Sequence, residues 1–240
     1  STAMIRRDCE LTQCEENLVS NSESPIVIVE KRSSGNSLSA HIAPGHPRLG
    51  VMLPYTPLHL ILMRELNCPI VATSGNLSEE PLCIDEHEAL NRLAGIADSF
   101  LIHNRPIKRH VDDSVARIIQ GAPQLVRRAR GYAPLPVIAS DELPETIAVG
   151  GHLKNTIAVS KGRQIFVSQH IGDLESVESV EAFENTVKDL AALYELNPTS
   201  IVHDAHPDYA SSTYAAKLPG SQVEVQHHYA HALSCLLDNH

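Results

Sequence analysis

The sequence predicts a mixed α/β protein built from two successive units. Short apolar segments alternate along it with amphipathic segments long enough for helices, which is the pattern of strands and helices packed in layers. A stretch rich in proline and acidic residues, 134–144, interrupts this pattern and is typical of a linker. We therefore expect one unit over residues 4–138, a linker at 139–145 and a second unit over 146–240.

Composition narrows the classes of function. The 240 residues carry a formal net charge of −10, which argues against a general nucleic-acid surface, and they include no tryptophan, which argues against a base-stacking platform. No apolar run has the length of a membrane span, and the N-terminus lacks the pattern of a signal peptide. The five cysteines form no C-x-x-C pair. This spacing predicts neither a zinc knuckle nor a disulfide framework and favours a reducing cytoplasm.

In the first unit, local signals define the helices and strands. Pro57 lies near the first turn of one apolar helix, and Asp85 with Glu88 has the spacing of a capping box at the start of another. The predicted elements are a helix over 8–21, a strand over 25–29, a loop at 31–40, an apolar segment at 49–53, a helix over 58–66, a strand over 69–73, a helix over 85–93 and strands over 100–102 and 124–132. Several of these segments run into small polar or charged residues, where ligand-binding loops occur in α/β proteins.

The first such loop follows the predicted strand over 69–73. Ser74 and Asn76 offer a hydroxyl and an amide, and Gly75 allows backbone N–H groups to come close to a ligand. Loops of this kind bind phosphates or carboxylates. An ordinary turn explains the same residues equally well, because serine, glycine and asparagine are common turn residues.

Two further segments contain clusters of charged residues. Cations in 104–109 precede Asp112 and Asp113, and this group is either a solvated ion-pair surface or the floor of a polar pocket. In the predicted strand over 124–132, alternation directs Arg128 and Arg130 to the same face. Such a pair can clamp a triphosphate, with Mg²⁺ bound alongside it.

The second unit begins with strands over 146–149, 156–159 and 164–168. A helix over 176–196 with one apolar stripe, a strand over 200–204, a helix over 210–217, a strand over 223–225 and a final helix follow. This order is that of the N-terminal lobe of the actin/Hsp70-like, ribonuclease H-like fold. Between the first two strands, Gly150 and Gly151 with Lys154 can hold a phosphate, although a plain hairpin is the alternative.

The final helix begins with a pair of histidines. His227 and His231 are four residues apart, so their imidazoles project from the same helix face one turn apart. A strand that delivers two histidines to the first turn of a helix is half of a transition-metal site. The alternative is a polar helix start whose histidines bond to the backbone.

Motifs along the whole chain resemble the HypF carbamoyltransferases, which are maturation proteins of nickel–iron hydrogenases. The YrdC-like domain of that family is similar to the segments Ala43-Pro-Gly, Gly50-Val-Met-Leu-Pro, Thr73-Ser-Gly-Asn-Leu-Ser, Ile102-His-Asn-Arg, Asp112-Asp-Ser-Val and Arg127-Arg-x-Arg-Gly-Tyr. Its transferase domain is similar to Gly150-Gly-x-Leu-Lys-Asn, Ser168-Gln-His-Ile-Gly-Asp-Leu, His203-Asp-x-His-Pro-x-Tyr and Val225-Gln-His-His-x-Ala-His. The resemblance implies a fragment that lacks the start of the YrdC-like domain and the second lobe of the transferase domain. Such a fragment alone is not expected to be fully active.

The resemblance also implies an activity and a set of site residues. The family uses ATP and carbamoyl phosphate to form carbamoyl adenylate, then transfers the carbamoyl group to a cysteine of a HypE-like partner, as the precursor of cyanide ligands. Nucleotide-binding roles carry over to Ser74, Asn76, Asp113, Ser114, Arg128 and Arg130, and Lys154 is placed with them. Zinc or iron binding carries over to His227 and His231. Two alternatives are an enzyme of tRNA threonylcarbamoyladenosine synthesis and an RNA-binding or regulatory YrdC-like module.

Overall fold

The computed structural model describes residues 1–78, 80–133 and 135–238. The chain forms two compact units: Ser1–Thr73 with Asp113–Tyr132, and Ser74–Asp112 with the described part of Ala133–His240. Helices and strands are combined in both sheets, so the predicted mixed α/β class is confirmed. The predicted limits of the two units, 4–138 and 146–240, stay predictions. Residues 239 and 240 of the second lie outside the described residues.

Helices and strands alternate along both halves of the chain. Those before residue 133 are α1 (Thr2–Asp8), β1 (Cys9–Glu10), α2 (Gln13–Val19), β2 (Ile26–Lys31), β3 (Arg48–Val51), α3 (Pro57–Leu66), α4 (Glu86–Arg92), β4 (Val115–Ile119) and β5 (Ala122–Arg127). Those after it are β6 (Val137–Ala148), β7 (Ala158–Val167), α5 (Val177–Leu193), β8 (Ser200–Asp204), α6 (Ala210–Ala215), β9 (Ser221–Val225) and α7 (His227–Asp238). Within the described residues, no helix has both the length and the apolar character needed to cross a bilayer.

The sheet of the first unit is organised around β2. This strand pairs antiparallel with β1 and β3 and parallel with β4, and β4 pairs antiparallel with β5. Its inward residues Val27 and Val29 pack with Leu18, Val19 and Ala116 in an apolar core. Burial of β2 between helix α2 and its neighbouring strands therefore holds this unit together.

A buried carboxylate fixes the loop that follows β2. Asp8 is 3 % exposed, and its Oδ1 accepts hydrogen bonds from the backbone N–H (2.7 Å) and hydroxyl (2.9 Å) of Ser37. Arg7 donates to its Oδ2 at 2.9 Å. The hydrogen bond from the Arg7 guanidinium and those from Ser37 outweigh burial and hold the pKa of Asp8 at about 2. The contacts tie the end of α1 to a loop 29 residues further along.

The sheet of the second unit has the strand order β7-β6-β8-β9. The β6–β7 pair is antiparallel, whereas β6, β8 and β9 are mutually parallel. Helix α5 packs one face against the sheet through Phe183, Val187 and Leu190, and it confirms the predicted apolar stripe. The parallel arrangement brings the carboxyl ends of β6, β8 and β9 to one edge of the sheet.

The predicted linker at 139–145 lies instead within strand β6. Pairing with β7 extends from Val137↔Ile165 to Ala148↔Ala158, with register shifts on either side of Leu143. Proline is tolerated in a strand at such irregularities. The carbonyl of Pro144 also accepts a hydrogen bond from the hydroxyl of Ser160 at 2.6 Å. A long antiparallel partner therefore overrides the local composition.

Four other predicted elements differ from the structure. Residues 69–73 and 100–102 are not strands, and Val71 and Leu101 are largely exposed, because no strand among the described residues pairs with these segments. The predicted helix over 8–21 is divided, since Thr12 and Glu15 form a capping box that starts α2. The strands predicted over 156–159 and 164–168 are not separated, because β7 runs continuously through Gly162 in a positive-φ conformation.

We expect Asp8→Asn to lower the free energy of unfolding by about 1.5–3 kcal/mol at neutral pH, because charged hydrogen bonds to Arg7 and Ser37 are weakened. The folded pKa of Asp8, about 2, lies below the usual aspartate value of about 3.9. Its contribution is therefore complete above pH of about 4 and is lost as pH falls towards 2. Denaturant unfolding of the whole chain across this range measures the effect.

The control is Asp98→Asn, which makes the same charge change at an exposed carboxylate. If the difference in stability between wild type and Asp8→Asn stays constant from pH 7 to about pH 2, the assignment of this carboxylate is wrong.

Candidate functional site

The two predicted metal-ligand histidines lie together at the start of α7. Their Nε2 atoms are 3.1 Å apart and their ring centroids 4.8 Å apart. The helix begins immediately after β9, and Gln226 holds its first turn by accepting the backbone N–H of Tyr229 through its side chain and that of Ala230 through its carbonyl. The i, i+4 spacing of His227 and His231 therefore places both rings on one face, as predicted.

A carboxylate that the sequence did not single out as a site residue supports the pair. Asp204 ends strand β8, and its Oδ2 lies 2.6 Å from Nδ1 of His227. The backbone N–H of His206 donates to its Oδ1 at 2.9 Å. Burial opposes ionisation, but these two hydrogen bonds outweigh it, so the pKa of Asp204 lies below its usual value.

The parallel register of β8 and β9 explains why Asp204 lies next to His227. Asp204 pairs with Val225, two residues before His227, at the carboxyl ends of β8 and β9. Polar residues at the carboxyl ends of adjacent parallel strands meet at one sheet edge. The motif around His203 was visible in the sequence, but the pairing partner of its strand was not.

Aromatic rings and a glycine loop surround the histidines. Tyr209 stacks on His206 with ring centroids 4.3 Å apart and on His152 at 5.5 Å, and its ring lies 6.4 Å edge-on from His227. A Cβ on Gly151 would lie 3.6 Å from Cε1 of His227. The loops after β6 and β8 therefore both reach the edge at which α7 begins.

Lys154 lies on the loop after β6, and its side chain is exposed. Its backbone N–H donates to Asp173 at 2.6 Å, and buried Asn155 donates through Nδ2 to the carbonyls of Val149 and Gly151. Gly150 has φ of +69°, and a Cβ there would meet the Thr156 carbonyl at 2.2 Å. The loop is therefore built for close backbone packing, and phosphate binding by Lys154 stays a prediction.

Ser74 and Asn76 lie in the same unit as the histidines but in another segment, 74–112. Ser74 is exposed, whereas Nδ2 of Asn76 donates to the carbonyls of Leu77 (2.7 Å) and Glu80 (2.9 Å). Arg92 forms ion pairs with Glu80 and with Glu88 on its own helix. The asparagine thus closes a loop whose exposed hydroxyl and backbone stay accessible.

Two of the cations in 104–109 form ion pairs with a carboxylate on α5. Lys108 and Arg109 lie 4.0 and 3.6 Å from the carboxylate of Asp189. Of the two interpretations, this contact favours the ion-pair surface for these residues.

Within the first unit, Asp113, Ser114 and Arg130 form one network. The Arg130 guanidinium donates to Asp113 at 2.8 Å and to the carbonyls of Glu23 (3.2 Å) and Ser24 (2.7 Å). It also stacks on the ring of Tyr55, 3.5 Å from the centroid. Burial and the nearby Asp113 carboxylate raise the pKa of Tyr55. A fixed arginine thus connects three separate segments of the unit.

The other two predicted residues lie beside this network. Ser114 is fully buried, donates to the Arg130 carbonyl at 2.9 Å and accepts the backbone N–H of Ala129 at 2.8 Å. It therefore supports the segment that carries Arg130. Arg128 is half-buried and follows β5, which ends at Arg127 rather than continuing to 132 as predicted. Nucleotide binding by these residues stays a prediction.

A metal ion would fit the donors of the histidine pair. Zinc–nitrogen bonds of about 2.0–2.1 Å at a tetrahedral angle separate two ligand nitrogens by about 3.3 Å, close to the 3.1 Å between the two Nε2 atoms. Among the described residues no cluster of three or more histidine, cysteine or acidic side chains is arranged as a metal site. The chain therefore supplies two convergent imidazoles and a carboxylate behind one of them.

Comparison with known proteins gives matches over nearly the whole chain. The family model for the HypF Kae1-like domain matches residues 141–238, and a model of the Sua5, YciO and YrdC proteins, described as telomere recombination, matches residues 1–129. The carbamoyltransferase HypF of Synechocystis sp. is 48 % identical over 94 % of this chain, which spans 29 % of that relative. The chain thus covers less than a third of this curated relative.

Two solved HypF structures also match this chain closely. A full-length HypF crystal structure in the phosphate- and nucleotide-bound form matches with a TM-score of 0.94 and 42 % identity, over 100 % of this chain and 38 % of that one. The structure of T. kodakarensis HypF matches with a TM-score of 0.90 and 32 % identity, over 96 % of this chain and 31 % of that one.

We expect Arg130→Ala to lower the free energy of unfolding by about 2–3 kcal/mol, because the carbonyls of Glu23 and Ser24 and the Asp113 carboxylate lose their donor. Arg130→Lys should recover only part of this loss, since an ammonium cannot serve the same three acceptors and stack on Tyr55. Denaturant unfolding of the whole chain measures both variants. Arg117→Ala, at an exposed position on β4, is the control, and equal stability of all three variants would contradict the structural role.

Proposed function

The chain belongs to the HypF family of carbamoyltransferases, and on this premise we propose that the protein containing it carries out ATP-dependent carbamoyl transfer in the maturation of nickel–iron hydrogenases. The substrates are ATP and carbamoyl phosphate, and the acceptor is a cysteine thiolate of a HypE-like maturation protein. Family membership supports the reaction class, and the nucleotide-bound form of the similar HypF structure supports the use of ATP. The observation that carries the proposal is the convergence of the His227 and His231 Nε2 atoms at the edge of a parallel sheet.

The proposed reaction has two steps that balance. In the activation step, water hydrolyses carbamoyl phosphate to carbamate and inorganic phosphate, with release of a proton. A carbamate oxygen then attacks the α-phosphorus of ATP, so that carbamoyl adenylate forms and pyrophosphate leaves. The acceptor thiolate then attacks the carbamoyl carbon, the bond from that carbon to the phosphate oxygen breaks, and AMP leaves. The carbamoyl group on sulfur is the precursor of a cyanide ligand.

We assign the transfer step to the histidine site. His227 and His231 would hold a divalent metal, zinc or iron, which when bound polarises a carbonyl oxygen. Asp204 orients His227, and the ring of Tyr209, stacked on His206, forms a wall beside the pair. These residues come from the end of β8, the segment that follows it and the start of α7, all at one sheet edge, so their geometry is set before any ligand arrives.

We assign the activation step to the predicted nucleotide-binding residues of both units. In the second unit, exposed Ser74 and the backbone of the loop closed by Asn76 would contact phosphate, with Mg²⁺ accompanying ATP. Lys154 offers a further exposed ammonium. In the first unit, Asp113, Arg128 and Arg130 would line the nucleotide pocket, with Ser114 supporting them. Cations there would stabilise the charge that develops on the transferred phosphoryl group.

The compartment follows from the same chemistry. No disulfide joins any of the cysteines within the described part of the chain. Cysteines outside disulfides, some of them exposed, suit the reducing cytoplasm, and we propose that location. An acceptor cysteine that must react as a thiolate suits it as well.

We expect the double variant His227→Ala, His231→Ala in the intact protein to lose bound metal and carbamoyl transfer while it retains ATP-dependent adenylation. The reason is that the two imidazoles supply the only convergent nitrogen donors described in the transfer site, whereas neither of them is among the residues assigned to activation. Elemental analysis measures the metal. Exchange of labelled pyrophosphate into ATP and transfer of labelled carbamoyl groups to the acceptor measure the two steps.

The matched control is His228→Ala. This adjacent ring is exposed, its Nδ1 lies 2.9 Å from Gln226, and its centroid is 6.0 Å from that of His227. No described contact joins it to His231, so metal content and both steps should be retained. Full metal occupancy in the double variant, or equal loss of both steps, would contradict the proposal.

A further inference from the structure

The contact between Asp204 and His227 has a consequence for the protonation of the imidazole. We propose that Asp204 is a positioning residue that fixes His227 in the tautomer with its proton on Nδ1, so that the lone pair of Nε2 faces His231. The inference deepens the proposed function and rests on it for the identity of the ligand, a divalent metal. The position of the proton on His227 does not depend on the identity of that ligand, because it is set by residues of this chain.

The chemistry of the contact determines where the proton lies. An ionised carboxylate only accepts hydrogen bonds, and a neutral imidazole has one N–H and one lone pair. Because Oδ2 of Asp204 lies 2.6 Å from Nδ1 of His227, Nδ1 must be the donor. Nε2 then carries the lone pair, and it is this atom that lies 3.1 Å from Nε2 of His231.

The carboxylate is held too rigidly to adapt to the other tautomer. Its side chain is 8 % exposed, and its second oxygen is engaged by the His206 N–H at 2.9 Å. The backbone around it is fixed on two sides, by the hydroxyl of Ser212, which donates to the Asp204 carbonyl at 2.9 Å, and by Ala205, whose N–H donates to Val225 at 3.0 Å. A buried, doubly anchored carboxylate orients the imidazole more strongly than a mobile surface side chain does.

The arrangement also places the proton of the second histidine. With a lone pair on Nε2 of His227, the short contact to Nε2 of His231 is a hydrogen bond only if His231 donates. In the chain without a ligand, His231 therefore carries its proton on Nε2. For both Nε2 atoms to bind one ion, His231 must move its proton to Nδ1. His227 needs no such change, because its Nε2 already carries the lone pair.

This division of roles predicts an asymmetry between the two histidines. Orientation by an outer carboxylate is worth about 10–100-fold in metal affinity at sites of this kind. Only His227 has such a partner in the described part of the chain. Removal of the Asp204 charge should therefore weaken metal binding without removal of a ligand.

The experiment compares the whole chain with Asp204→Asn, with Zn²⁺ as the probe. Nitrogen NMR of histidine-labelled protein at about pH 8, where imidazoles are neutral, reports which nitrogen of His227 carries the proton. Competition with a chromophoric chelator measures zinc affinity. The control is Asp208→Asn, which makes the same charge change at an exposed position four residues away.

We expect wild-type His227 to be protonated on Nδ1, and Asp204→Asn to mix its tautomers and to lower zinc affinity about 10–100-fold, with Asp208→Asn unchanged. A wild-type His227 protonated on Nε2 overturns the inference even if the variant does not fold. So does a folded Asp204→Asn protein with wild-type tautomer and zinc affinity. If the chain binds no zinc but the tautomer depends on Asp204, the positioning role stands and the proposed metal site fails.

Discussion

The parallel pairing of β8 with β9 is the constraint on which the site depends. It sets Asp204 opposite Val225, and the chain needs only two more residues to bring His227 over the carboxylate. A shift of one residue in this register would reverse the faces of the strand and separate the two groups. The same pairing anchors the backbone after Asp204 through the bond from Ala205 to Val225. The chemistry at the sheet edge is therefore a consequence of strand register rather than of the loops alone.

The packing beneath the sheet maintains that register. Ile201 on β8 and Ile147 on β6 are buried against Phe183 of α5, so the central strands cannot slide without exposing apolar surface. The loop after β6 then reaches the site by close backbone contact, which Gly150 allows in its positive-φ conformation. Rigid strands that carry short polar loops are the arrangement expected of a preorganised site.

The sequence predicted those features of the fold and the site that depend on residues close together in the chain. The stripe that contains Phe183 identified α5, and the spacing of His227 and His231 identified their common face, because helix periodicity is a property of one segment. The first part of strand β6, over the predicted linker at 139–145, was not predicted, because its local composition is overridden by a partner strand that begins about ten residues after β6 ends. Asp204 was missed as a site residue for the same reason, since its role depends on which strand lies beside it. The network of Arg130 likewise requires Glu23 and Ser24, more than 100 residues away.

We propose that His227 and His231 together supply the first two ligands of a metal ion. X-ray absorption at the zinc edge of the zinc-loaded chain measures the ligand atoms directly. We expect two imidazole nitrogens at about 2.0–2.1 Å, with the remaining ligands oxygen, and the loss of both imidazole signals in the double alanine variant. A sulfur ligand at about 2.3 Å, or a shell of oxygens without imidazole, would contradict it.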